Sequence, residues 1–69
     1  MDTQQIRTVL AVAERLSFSE AAFELSFTTS AVSKQVAALE KALGVVLFHR
    51  KGRTGVFLTE DGRRVLPHL

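Results

Sequence analysis

The chain has no cysteine among its 69 residues, so neither a disulfide framework nor a thiolate metal site can hold it together. Its two histidines, His49 and His68, lie far apart with no helical i, i+4 partner, which argues against a zinc site. No apolar run approaches the ~18 residues of a membrane-spanning helix, and no basic-then-apolar leader opens the sequence. The expectation is a soluble, cytoplasmic protein. Catalytic patterns are missing too: there is no glycine loop set between a strand and a helix to cradle phosphate, and no Ser-His-Asp grouping. The reading is therefore of a non-enzyme that needs no cofactor. Tryptophan and tyrosine are absent, and the five phenylalanines are not arranged as a stacking platform for RNA, whose A-form major groove would not admit a helix either.

What is present fits one small domain. Apolar residues make up 46% of the chain, enough for a single hydrophobic core, although so short a chain buries a modest fraction of its surface. The net charge of +2 is unevenly spread. Residues 1–33 set two arginines against four carboxylates, a net of −2; residues 34–69 set seven cations against three carboxylates, a net of +4. An ordinary solvated surface would fit these numbers, and so would a basic face built from the second half for a polyanionic partner.

Helix signals come first along the chain. Asp2 with Gln5 has the form of a capping box, predicting a helix over about 3–16 with Ile6, Leu10 and Ala13, flanked by Val9, Val12 and Leu16, as a wide apolar stripe. A stripe so wide implies burial on two sides, the second against another subunit. Ser17 with Glu20 repeats the capping pattern and starts a second helix over 18–25, with Ala21, Ala22 and Leu25 inward. Thr28 is a good cap for a third helix over 29–43, which Gly44 should stop. Val45 to Phe48 then have strand-like composition, Arg50 to Gly55 read as a two-glycine turn with a basic tip, and Val56 to Leu58 as the return strand. Thr59 caps a last helix beginning Glu60-Asp61 and running to Leu69.

The third helix carries the functional signal. At about 100° per residue, Val32, Val36, Leu39 and Leu43 share the core side. Ser30, Ser33, Lys34, Ala37 and Lys41 fall opposite, with Thr29 at the N-terminal end. A helix entering a DNA major groove needs short side chains so that its backbone can come close, hydroxyls for base edges or phosphates, and a cation for phosphate or guanine. This face meets each requirement. A solvated helix face would also be polar, although such faces usually carry Glu-Lys pairs. Arg50, Lys51 and Arg53 crowd the hairpin tip, where a basic turn can follow the backbone or enter the minor groove; alone it equally fits a solvated turn. A protein-docking module, the main rival reading, would predict an apolar outer face on the third helix and no basic tip.

Residues 2–66 resemble the N-terminal winged helix-turn-helix of LysR-type transcriptional regulators. The resemblance runs through Ser17-Phe18, Ala21-Ala22 and Leu25, then Ser30-Ala31-Val32-Ser33-Lys34-Gln35-Val36. It continues through Leu39-Glu40, Leu43-Gly44, Leu47-Phe48, Arg50 and Leu58-Thr59-Glu60-Asp61-Gly62. It implies a mostly α fold: a three-helix core, a two-stranded β wing and the start of a linker helix, divided as 1–58 and 59–69. It also implies sequence-specific binding of double-stranded DNA, with 29–43 as recognition helix. Thr28, Thr29, Ser30, Ser33 and Lys34 would meet DNA there, with Arg50 and Arg53 on the wing. A full-length parent would be a homodimer sensing a small-molecule effector through a C-terminal domain. Leu69 falls near the start of the linker helix, so the expectation for this chain is an isolated, weakly dimerising DNA-binding domain.

Some positions depart from the family pattern. Thr29 stands where Gln is very often found, and Ala37 and Ala38 where a basic residue is frequent, which should weaken phosphate contact. The tip from Lys51 to Gly55 is about one residue longer than usual. Phe23 and Phe57 replace residues that are commonly polar, and for both extra packing against neighbours is favoured over an exposed interaction patch.

Overall fold

The structure, a computed structural model, describes residues 1–52 and 55–69. Three helices, α1 (Thr3–Arg15), α2 (Phe18–Leu25) and α3 (Thr29–Leu43), precede a hairpin of β1 (Phe48–Lys51) and β2 (Gly55–Leu58). A short helix, α4 (Glu60–Val65), and a 3-10 turn over Leu66–His68 complete the described chain.

Local chemistry sets the helix limits. Asp2 accepts from the Gln5 N–H at 2.8 Å while the Gln5 side chain accepts from the Asp2 N–H at 3.2 Å, a complete capping box. Ser17 accepts from the Glu20 N–H at 3.1 Å, but Glu20 makes no return bond, so only half of the second box forms. Thr28 and Thr59 cap α3 and α4 through the N–H groups of Ala31 and Gly62. At their C-termini, α1 and α2 end on left-handed Leu16 and Ser26, whereas α3 ends on Gly44 at φ +73°, where no Cβ opposes that conformation. The last helix is shorter than expected. Pro67 has no N–H to continue the α-helical ladder, so the chain tightens into the 3-10 turn.

The core gathers Val9 and Val12 of α1, Phe18, Ala21 and Ala22 of α2, Val32, Val36 and Leu39 of α3, and Leu47, Phe48 and Val56 around the hairpin. Val65, Leu66 and Leu69 pack on its edge. The α1 stripe is rotated from the sequence reading. Thr8, Val9, Ala11 and Val12 are buried, while Leu10 and Leu16 are exposed. Leu10 lies 100° around the helix from Val9 and faces a shallow groove with Ile6 and Leu25, so the second side of α1 is open rather than covered.

The first strand also begins later than expected. Residues 45–47 do not pair, because the Glu40 carboxylate at the end of α3 takes the N–H of Leu47 at 2.7 Å and that of Phe48 at 3.4 Å. On its other side Leu47 accepts from the Thr59 N–H at 2.9 Å. Arg50 and Lys51 consequently lie in β1 rather than in the turn, with Arg50 opposite Val56 and Lys51 opposite Gly55. Gly62 lies directly against the same junction: a Cβ there would come within 2.3 Å of the Leu47 carbonyl oxygen.

Candidate nucleic-acid interface

The helix-turn-helix depends on small residues. Ala21 and Ala22 let α2 lie close to its neighbours, and the N–H of Phe27 reaches back to Ala22 O at 2.9 Å to close the turn before α3. The αL conformation of Ser26 (φ 59°) reverses the chain within two residues of Thr28.

From there α3 projects the predicted face. Val32, Val36 and Leu39 are buried and Leu43 is half-buried, so the sequence assignment of the core side is right to within one residue. Thr28, Thr29, Ser30 and Lys34 are exposed and Ser33 is half-buried, all within the cap and the first two turns. Ala37 and Lys41 continue the exposed line. The Thr28 hydroxyl is already engaged, accepting from Ala31 N–H at 3.0 Å, which leaves its proton and one lone pair to offer a ligand. Lys34 has no carboxylate partner among the described residues.

Arg50 stands apart from this face. It belongs to the β1 side that carries Phe48 and faces the core, yet it is exposed, and its guanidinium lies 4.5 Å from the centroid of the Phe18 ring at the start of α2. Phe18 meets Phe48 edge-on, with centroids 6.1 Å apart and planes at 77°. Sequence reasoning missed this stack, since Phe18 and Arg50 are 32 positions apart and no local spacing links them. Arg53, the other wing residue singled out, lies outside the described residues. On the outer side of the hairpin, His49 and Phe57 pair across the strands with centroids 5.9 Å apart.

The phenylalanine expectation fails at Phe23, which is 90% exposed on α2 and packs against nothing substantial. It borders a shallow groove with Arg15, Ser19, Glu20 and Glu24. Arg15 and Glu24 pair there at 2.8 Å, and this hydrogen bond, helped by the charges of Glu24, Glu14 and Glu20, raises the Arg15 pKa above its ordinary value. Carboxylates thus predominate on this side of the molecule. A groove of about 610 Å³, open to solvent, lies at the far end of α3 between Lys41, Val45 and Asp61. Among the described residues no three His, Asp or Glu side chains gather as a metal site, and no helix is long and apolar enough to cross a membrane.

Three helices with a tight α2–α3 turn, followed by a two-stranded antiparallel hairpin, define a winged helix-turn-helix. The chain belongs to the lysR family of bacterial regulatory helix-turn-helix proteins, whose family model matches residues 3–63. It is 54% identical over 67 residues to an uncharacterized HTH-type transcriptional regulator of Azotobacter vinelandii, covering 97% of this chain and 46% of that protein. Against the HTH-type transcriptional activator AmpR of Pseudomonas aeruginosa it is 50% identical over 64 residues, covering 93% of this chain and 21% of the activator. The chain therefore spans less than half the length of these relatives, which are transcriptional regulators by name. Among solved structures, a complex of the CbnR DNA-binding domain with DNA superposes with a TM-score of 0.90 at 37% identity, over 99% of this chain and 77% of that one. A BenM DNA-binding domain bound to benA site 1 DNA gives 0.89 at 32%, over 99% and 75%.

Proposed function

We propose that this chain is the DNA-reading part of a bacterial transcription regulator, recognising double-stranded DNA through the N-terminal half of α3. The observation that carries this reading is the exposed run of Thr29, Ser30 and Lys34, with Ser33 beside it, on a helix whose opposite face is locked into the core. Nothing bulky on that run keeps the backbone from the bases, and the Lys34 ammonium, without a carboxylate partner among the described residues, can meet phosphate or a guanine edge. The hairpin supplies the backbone grip through Arg50 and Arg53. No reacting group or cofactor takes part: binding is the activity. Shared ancestry with longer regulators further supports a parent that binds an inverted repeat as a homodimer in the cytoplasm, under a small-molecule effector held by a C-terminal domain.

Selection from a random duplex pool at physiological salt tests the reading, with enrichment of a short motif expected. Lys34→Ala should then cost about 1–3 kcal/mol of binding to that motif. Unchanged affinity would remove Lys34 from the interface, and failure to retain any duplex would refute DNA binding altogether.

A further inference from the structure

We propose that Phe18 is a positioning residue for DNA binding, whose ring orders the Arg50 guanidinium while leaving it fully charged and its N–H edge free to donate to a backbone phosphate. This role rests on the DNA-binding reading above.

The ring is itself held from two directions. Phe18 is the first residue of α2, directly after the Ser17 cap, and its side chain is buried in a T-shaped contact with Phe48. Its ring also receives the Arg50 guanidinium at 4.5 Å from the centroid. Arg50 makes no ion pair among the described residues, where the two pairs are Arg15–Glu24 and Arg64–Asp61. An aromatic face therefore does what a carboxylate would otherwise do, with an important difference. A carboxylate would cancel the positive charge and occupy the in-plane donors. A ring bears no formal charge to cancel the unit positive charge, and a guanidinium that lies flat on it keeps its in-plane N–H donors available. Ordering the side chain before DNA arrives also removes that entropy cost from binding. An ammonium group, having no plane, could not be held in this way.

A double-mutant cycle on a mixed-sequence DNA duplex tests the proposal, because a phosphate contact does not depend on the operator. Phe18→Leu should weaken binding about fivefold when Arg50 is present and less than about twofold in the Arg50→Ala background. Phe18→Tyr, which retains the ring, should keep affinity near that of the unaltered chain. Arg50→Ala alone should lower the salt slope by about one. Equal losses from Phe18→Leu in both backgrounds would reduce Phe18 to a packing residue and overturn the proposal. Should Phe18→Leu fail to fold, NMR of the unaltered chain still decides: the Arg50 side-chain protons should be shifted upfield by the ring, and random-coil positions would overturn the stack. Absence of any duplex binding by the unaltered chain would defeat the DNA-binding reading and this role with it, whereas additive losses with binding intact would defeat the role alone.

Discussion

Removing the Glu40 carboxylate tests the reasoning about how the wing is attached. Leu47 is completely buried, and its N–H has the Glu40 carboxylate, at 2.7 Å, as its partner. The second bond, to Phe48 N–H, is long at 3.4 Å and adds little. A hydrogen bond to a charged acceptor contributes about 1.5–3 kcal/mol, and a buried donor left unpaired loses its desolvation cost in full. Glu40→Ala should therefore destabilise the fold by about 2 kcal/mol, a large part of the whole stability of a domain this small. In thermal melts that corresponds to a fall in Tm of about 10 °C. Glu40→Gln keeps a neutral acceptor and should recover about half of the loss. The Leu47 amide should also exchange hydrogen much faster in Glu40→Ala than in the unaltered protein. A Tm within about 3 °C of the unaltered chain, or a glutamine variant as unstable as the alanine one, would refute the assignment of Glu40 as the anchor.

Gly62→Ala should destabilise by about 1–3 kcal/mol despite the better helix propensity of alanine, because its Cβ would meet the Leu47 carbonyl, a backbone atom that cannot step aside; a urea melt of equal or higher midpoint would show that the close approach is wrong. Ser26→Gly should stabilise by about 0.5–1 kcal/mol by relieving the left-handed backbone at φ 59°, and a lowered denaturation midpoint would contradict that strain. Phe23→Ser should leave stability within about 0.5 kcal/mol, since the ring is almost entirely in solvent; a loss of a core-like size would mean that it packs after all.

The parts of this fold that the sequence discloses are those governed by neighbours along the chain. The bounds of α2 and α3 follow from Ser17, Thr28 and Gly44, whose caps act within one turn. The exposed Thr29, Ser30 and Lys34 are visible because the apolar residues opposite them keep helical spacing. Misreadings arise where a distant group decides. The start of β1 is delayed by Glu40, seven positions upstream of Leu47, and no strand propensity in Val45 and Val46 registers that contact. Leu10 shows the limit of a wide stripe: apolarity marks both Leu10 and Val9, and only the packing of α1 against α3 chooses between them. Phe23 and Phe18 are chemically identical, yet one is bathed in solvent and the other is stacked on an arginine. Composition cannot distinguish them; the path of β1 does.

The backbone of Leu47 meets three neighbours at once: its N–H is held by α3 through Glu40, its carbonyl receives the N–H of Thr59 at the β2–α4 junction, and the same carbonyl lies under Gly62 of α4. No room remains there for a Cβ at Gly62. Glu40 near the end of α3 and Gly62 of α4 therefore meet on opposite sides of the same residue at the root of the hairpin. α3, the root of the hairpin and α4 in this sense share the backbone of one residue as their common footing, so a substitution that disturbs any one of them at this point bears on the other two.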